Sequence, residues 1–594
     1  MFQDLSNSLR AWLKAAFSLS RQMLFASVLA TLLWTPVGVA GQSNAQTGSA
    51  DAARINAKVD ALFANYDKPG SPGCALGVIK DGKLVYARGY GLANLEHNIP
   101  NGPQIVYDIG SISKQFTAMS IALLARQGKL SLEDDIRKYV PEIPSYGALI
   151  TLRHLLYHTS GIRDYLTPMA LAAMPQENHY SYAQILELLT RQKGLTFKPG
   201  DEHLYSNSGY LLLAQVVRKA SGKTLREFAE ENIFEPLGMK HTRFLDDHTS
   251  IVKNRATGYT PKEDGSGYSI KMSWFDLIGD GGLMTTVEDL FLWDQNFYEN
   301  KLGGGGKELI AQVLSPGRLN NGKILEYAFG QRITEYKGLP IVRHGGESAG
   351  YVSELVRFPG QKFSVILLAN TDVMNVARLT KQIADIYLAD QFKQSELKET
   401  VAPQFIELPA SELENKAGTY LNPKNGAVWR LSAKDGKLIA GARGGNFQFL
   451  PLTETRFLST QFQVMTRPVQ TILEFKQAAQ DKRWTATLTI GTQEPVTLEA
   501  VDLVTPTEAQ LAEYVGDYFN EELQVTYKVR LESGNLFVKD IPAFDGQAMK
   551  PTVKDSFVAG GPNFRFARDA HGEISGFTLR LAMQRLNFDF SKKR

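Results

Sequence analysis

The sequence holds a single cysteine, Cys74, in 594 residues. One thiol can neither close an intrachain disulfide nor build a cysteine zinc cluster, so neither device is expected here. Cys74 lies in the apolar run Gly73-Cys74-Ala75-Leu76-Gly77-Val78-Ile79, which predicts a buried small hydrophobe rather than a catalytic thiol. An excess of one charge is missing too: 65 basic residues face 62 acidic ones, a net charge of +3. Such a balance leaves no electrostatic footprint for nucleic acid, and no long basic run supplies one. The histidines show no metal-ligand spacing along the chain. No apolar stretch reaches the ~20 residues needed to span a bilayer as a helix.

The apolar run that does occur near the N-terminus, residues 23–34, follows Arg10, Lys14 and Arg21 and precedes Pro36 and Gly38-Val39-Ala40. Basic, then apolar, then small residues is the order of a secretory signal. Residues 1–40 are therefore expected to be a signal peptide, and the protein periplasmic or secreted, with no stable membrane span after cleavage. The alternative is an uncleaved anchor or interfacial helix.

At 43% hydrophobic and 21% charged, the composition is that of a globular protein. The chain is too long for one core, which predicts two to four domains. Residues 42–50 are small and polar and read as a flexible lead. Ile55, Val59, Leu62 and Phe63 then recur at helical spacing. Two apolar runs flank Asp81-Gly82, a hairpin signal. Helices alternate with loops from about residue 111, and three strands and a helix close the region near residue 392. Residues 396–409 read as a polar linker.

Beyond the linker, short alternating segments broken by turn residues predict an all-β region with an internal repeat. Leu413-x4-Gly418-x-Tyr420 is matched by Leu511-x4-Gly516-x-Tyr518, and Asp435-Gly436 by Ser533-Gly534. Phe449-Leu450-Pro451 answers Met549-Lys550-Pro551, and Phe457-Leu458 answers Phe557-Val558. Two similar β-barrels or sandwiches are expected, at residues 410–503 and 507–594.

Ser-x-x-Lys occurs at Ser111–Lys114, Ser250–Lys253 and Ser395–Lys398, and about two hits are expected by chance in a chain of this length. Context separates them. Ile112, Phe116, Met119 and Leu123 recur with helical spacing, placing Ser111 at the first turn of a buried helix with Lys114 one turn up the same face. A serine hydroxyl needs a neighbouring base to act as a nucleophile, and a helix N-terminus favours developing negative charge. Ser250 lies in a polar loop and Ser395 in the linker, without an apolar face to bury a lysine. Tyr205-Ser206-Asn207 follows Pro199-Gly200, ahead of an apolar helix. His344-Gly345-Gly346-Glu347 closes a short apolar strand; taken alone it would read as a tight turn.

In that order the three motifs resemble the serine β-lactamase and penicillin-binding family, in the branch of class C β-lactamases, D-Ala-D-Ala carboxypeptidases, D-aminopeptidases and related esterases. Leu155-Leu156-Tyr157-His158-Thr159-Ser160-Gly161 and Phe234-Glu235-Pro236-Leu237-Gly238-Met239 are similar to framing segments of the same family. The resemblance implies a mixed α/β hydrolase domain at residues 51–395, an antiparallel sheet flanked by helices plus a helical subdomain, followed by the two barrels. It implies Ser111 as nucleophile, with Lys114 and Tyr205 sharing the proton work. Asn207, His344 and Gly346 would bind substrate, Asn207 alternatively orienting Lys114. The backbone N–H groups of Ser111 and Glu347 would form the oxyanion hole, and no metal or cofactor is implied.

His344 stands where β-lactamases carry a lysine. At an ordinary pKa near 6.5 it would be mostly neutral at pH 7, so a preference for carboxylate-bearing substrates should be weak and grow as pH falls. No Glu-x-x-Leu-Asn segment is present, which removes the class A deacylation route. The expected partner is a short peptide containing D-amino acids, or a small ester or amide. A β-lactamase, or a non-catalytic binding or assembly protein retaining the site, are the alternatives. His158 reads as a helix C-terminal cap. By the resemblance to D-aminopeptidases, a loop from one barrel would reach the cleft.

Overall fold

The computed structural model describes residues 43–392 and 403–593, apart from 443–444, 465–466, 478–483, 492–493 and 582–585. The expected signal peptide, the third Ser-x-x-Lys match and the start of the linker lie outside the described residues. The chain divides into two compact units, Met1–Ile55 and Asn56–Arg594. Helix α1 covers Ser43–Phe63. Residues 43–50, read as a lead, are thus helical.

In the second unit a six-stranded antiparallel sheet organises the first 330 or so residues. Its strands are β1 Cys74–Lys80, β2 Lys83–Tyr90, β3 Arg332–Tyr336, β4 Leu339–Ser348, β5 Tyr351–Phe358 and β6 Phe363–Ala369, in the order β3-β4-β5-β6-β1-β2. Asp81 and Gly82 join β1 to β2 with φ of 51° and 73°, the left-handed pair that an Asp-Gly hairpin turn supplies at low cost.

The central strands β5 and β6 are buried at every position because both faces are covered, and they are largely apolar apart from Ser353, Glu354, Arg357 and Ser364. Leu76 and Val78 of β1, with Val365 and Leu367 of β6, pack on Val59, Phe63, Leu379 and Ile383, the last two from the helix Val376–Tyr387. Ala75 and Ile79, with Ile366 and Leu368, turn to the opposite core around Ile112, Phe116 and Trp293. Helix α2, Lys114–Arg126, runs through that second core with every residue from Lys114 to Leu124 buried. The Phe116 ring lies 4.2 Å from Trp293 and 5.8 Å from Phe234. Cys74 is fully buried in β1, and burial raises its thiol pKa well above the ordinary range, which leaves it inert.

Two closed eight-stranded barrels follow, one from Gly418–Leu421 to Val496–Ala500 and one from Gly516–Asn520 to Leu586–Lys592. The repeated residues do the same work in each. Tyr420 donates to the Lys416 carbonyl at 2.9 Å and Tyr518 to the Tyr514 carbonyl at 2.8 Å. Asp435-Gly436 and Ser533-Gly534 both take positive φ in two-residue turns. No helix among the described residues is long and apolar enough to cross a membrane.

Candidate active site

Ser111 lies in a short 3-10 turn, Gly110–Ser113, that runs directly into α2. It remains partly exposed while Lys114, three residues on, is fully buried. The Lys114 ammonium donates to Ser111 Oγ at 3.0 Å, Asn207 Oδ1 at 2.9 Å and the Asp280 carbonyl at 2.6 Å. Three donors and three acceptors satisfy a buried cation that would otherwise be costly.

Asn207 is the first residue of helix α3, Asn207–Ser221, so the triplet Tyr205-Ser206-Asn207 straddles a helix entry. The Tyr205 ring lies 5.0 Å from Lys114 Nζ, and its phenol oxygen is buried with no hydrogen-bond partner among the described residues. His344 reaches the same cluster, its ring 6.1 Å from that of Tyr205. The structure thus brings Ser111, Lys114, Tyr205, Asn207 and His344 together. Ser250, by contrast, bonds Asp247 in a surface loop.

The His-Gly-Gly segment is not the turn that a lone motif would predict. It continues β4 to Ser348, through the whole motif. The reason is contact with the Ser111 turn. A Cβ on Gly346 would stand 1.8 Å from the Ile109 carbonyl oxygen, and one on Gly110 would stand 2.5 Å from the Glu347 nitrogen. Only paired glycines let the strand and the turn approach this closely.

β3 pairs with β4 only as far as Arg343, so from His344 onward that edge of β4 has no strand beside it among the described residues. β4 pairs with β5 up to Ser348 and Tyr351 across a two-residue connection. Counting the antiparallel alternation back from that pair turns the Glu347 N–H away from β5, toward the Ser111 turn. Asp108 braces the arrangement from beneath, accepting from the Gly110 N–H at 2.9 Å and the Ser348 hydroxyl at 2.7 Å.

His344 is almost completely buried. Burial, followed by the nearby Lys114 charge, pushes its pKa down to about 3 despite the opposing bond to Gly345. Its Nδ1 lies 2.6 Å from the Gly345 carbonyl, which can only accept, so Nδ1 carries the proton. Nε2 then accepts from the Tyr327 hydroxyl at 3.2 Å. This corrects the expectation from an ordinary histidine: burial and the Lys114 charge favour a neutral His344 well below pH 6.5.

Sequence reasoning missed three groups around Lys114. Asp164 accepts from the Asn207 N–H at 2.5 Å, fixing the helix entry. Asp280 accepts from the Tyr165 hydroxyl at 2.8 Å while its own carbonyl holds Lys114. Burial raises both carboxyls, partly offset by hydrogen bonds and by Lys114. His158 is the third. It follows the helix Leu152–Leu156 at φ 56°, but burial holds its pKa well below the ordinary value, so it cannot complement that helix as a cation. Its Nδ1 instead accepts from the Ser206 N–H at 3.1 Å, and its ring lies 4.3 Å from Tyr205. It acts as a support for the Tyr-x-Asn segment. The available signal was the framing segment Leu155–Gly161, where a neutral acceptor and a cationic cap look alike in sequence.

The second barrel docks beside this wall. Glu522 accepts from the Arg163 guanidinium at 2.8 Å, with the two side chains only 10% and 12% exposed. The Glu522 carboxylate also takes the Lys193 N–H and its carbonyl takes Arg191 Nε. Tyr527 donates to the Leu171 carbonyl. Arg163 immediately precedes Asp164, so the barrel abuts the loop that positions Asn207.

Residues 59–388 match the Beta-lactamase family. Among curated proteins, the chain is 32% identical over 307 residues to penicillin-binding protein 4* of Bacillus subtilis (strain 168), covering 49% of this chain and 66% of that one. It is 29% identical over 321 residues to a D-aminopeptidase of Gluconobacter oxydans (strain 621H), covering 54% of this chain and 59% of that one. The matches therefore span less than two thirds of either relative's own length. An octameric penicillin-binding protein homologue from Pyrococcus abyssi shares the fold, with a TM-score of 0.52 at 24% identity, over 76% of this chain and 100% of that one.

Proposed function

The chain belongs to the beta-lactamase family, and from that premise we propose that it is a serine hydrolase working through an acyl-enzyme, with short D-amino-acid peptides, small amides or esters as substrates. The observation that carries this is the Lys114 ammonium 3.0 Å from Ser111 Oγ, beside the open edge of β4. Ser111 attacks the carbonyl carbon, and the N–H groups of Ser111 and Glu347 take up the charge developing on its oxygen.

The serine proton passes to Lys114 or to the Tyr205 oxygen, both of which stand beside Ser111 in the cluster. Lys114→Met and Tyr205→Phe separate the two routes through their pH profiles. Asn207 orients Lys114, and Gly346 lets substrate lie along β4.

A neutral His344 favours uncharged groups at the position where a lysine would bind a carboxylate. That weighs toward peptides, amides and esters over β-lactams, as does the D-aminopeptidase among the relatives. The second barrel, abutting the Arg163–Asp164 wall, limits substrate length in this reading; deleting residues 400–594 should broaden the substrate range. Export belongs to the same proposal, supported by the basic-apolar-small order of residues 10–40, and N-terminal sequencing of protein recovered outside the cytoplasm tests it.

The decisive experiment labels the protein with a fluorophosphonate probe and then screens D- and L-peptide, ester and β-lactam libraries by mass spectrometry. Ser111→Ala should abolish labelling; labelling that survives rejects Ser111. Turnover of a chromogenic cephalosporin at a rate rivalling peptides would transfer the assignment to β-lactam hydrolysis.

A further inference from the structure

His179, His248 and Asp276 are scattered over almost 100 positions of sequence yet meet in the fold, remote from any motif used above. His179 Nε2 lies 2.6 Å from Asp276 Oδ2, and His248 Nδ1 lies 3.0 Å from Asp276 Oδ1. One ligand atom from each residue falls within 4.8 Å of the other two. The imidazole rings stand 4.7 Å apart. The Asp276 carboxylate also accepts from the His248 backbone N–H at 2.7 Å, and the Asp276 N–H donates to the Tyr180 carbonyl, so the acid is held from two sides.

We propose that these three side chains form a binding site for a late first-row divalent cation of the zinc or cobalt type. Two imidazoles and one carboxylate are the donor set such ions prefer, whereas calcium and magnesium select oxygen ligands. Tetrahedral ligands on bonds of about 2.0–2.1 Å stand roughly 3.3 Å apart. The two histidine contacts fall on different oxygens of Asp276 and would open by about 0.3–0.7 Å, while a pair of ligand atoms at the 4.8 Å limit would close by about 1.5 Å, to seat the ion. His179 is exposed and the other two half-buried, which leaves an entry path and a solvent position to complete the coordination.

The site ties together three separate segments. Asp276 lies four residues ahead of Asp280, whose carbonyl holds the Lys114 ammonium. A bound ion stiffens the segment from Asp276 to Asp280, which ends on the carbonyl that holds Lys114.

Calorimetric titration of the full chain with zinc chloride, and separately with cobalt chloride, should give one site per chain. His179→Ala and Asp276→Asn should each weaken it by at least about tenfold, as loss of a ligand or its support does. His571→Ala, an exposed histidine on the second barrel, should leave it unchanged. Zinc should also slow hydrogen exchange of the amides at residues 271–282. The proposal is overturned if the wild type takes up neither ion stoichiometrically, or if binding persists at full strength in both His179→Ala and Asp276→Asn. Because binding and exchange are read without substrate, the result is independent of whether Ser111 is the nucleophile.

Discussion

Replacing His344 by glutamine should remove a specific portion of this protein's acid sensitivity. An unfolded histidine titrates near 6.5, whereas folded His344 is held at about 3 and folded His203 at about 4. Both folded values are depressed, so below pH 6.5 the unfolded state binds more protons than the native one. Stability therefore falls as pH falls, until the folded group itself protonates. Between pH 7 and 5 the unfolded residue gains most of a proton while the folded one gains almost none. At about 1.4 kcal/mol per unit, this amounts to about 2 kcal/mol for His344 and slightly less for the less buried His203. The pair together removes roughly 4 kcal/mol, a large share of a typical total of about 5–15 kcal/mol.

Buried carboxyls act in the opposite sense. Asp164 and Asp280 are raised by burial, so the native state binds their protons first and they add stability as pH falls. The raw slope of the wild type mixes the two effects; the difference between wild type and variant isolates the histidine. Urea melts at pH 7, 6 and 5 should show the stability gap between wild type and His344→Gln shifting by about 2 kcal/mol in favour of the variant at pH 5. His203→Gln should shift it by slightly less. Melts that run parallel to wild type from pH 7 to 5 would refute a buried neutral His344.

The same neutrality makes the ratio of kcat/KM for a carboxylate-bearing substrate over its amide flat between pH 5 and 8, and a several-fold rise toward pH 5 would contradict it. Gly346→Ala places a methyl against the Ile109 carbonyl at 1.8 Å, so β4 must retreat from the Ser111 turn. Turnover should fall by at least about 100-fold, the scale of a lost oxyanion donor, with far-ultraviolet circular dichroism unchanged. Glu522→Ala strands Arg163 in a contact only about one tenth exposed. It should cost about 3 kcal/mol in urea, and the loss should be recovered in part by Glu522→Gln, which keeps the hydrogen bonds.

Much of this molecule was legible in order along the chain. The Ser111 helix could be read because a buried helix repeats its apolar residues every three or four positions, and that local period needs no partner. The two barrels could be read because equivalent tyrosines and turn glycines recur about 98 residues apart. What stayed hidden were contacts between distant segments. Nothing near His344 in sequence says that Lys114 and Tyr327 surround it, and it is that enclosure which strips the imidazole of its charge. The strand carrying Gly345 and Gly346 looked like a turn because its need for glycine comes from Ile109 and Gly110, more than 230 residues earlier. Asp164 and Asp280 carry no motif; they matter because folding sets one against Asn207 and the other beneath Lys114. The sequence by itself determined the buried helix behind Ser111 and the order in which a mixed α/β region is followed by two barrels. Only the tertiary structure decided the charge state of the groups around that residue, because burial and neighbouring charge are properties of an environment assembled from the whole chain.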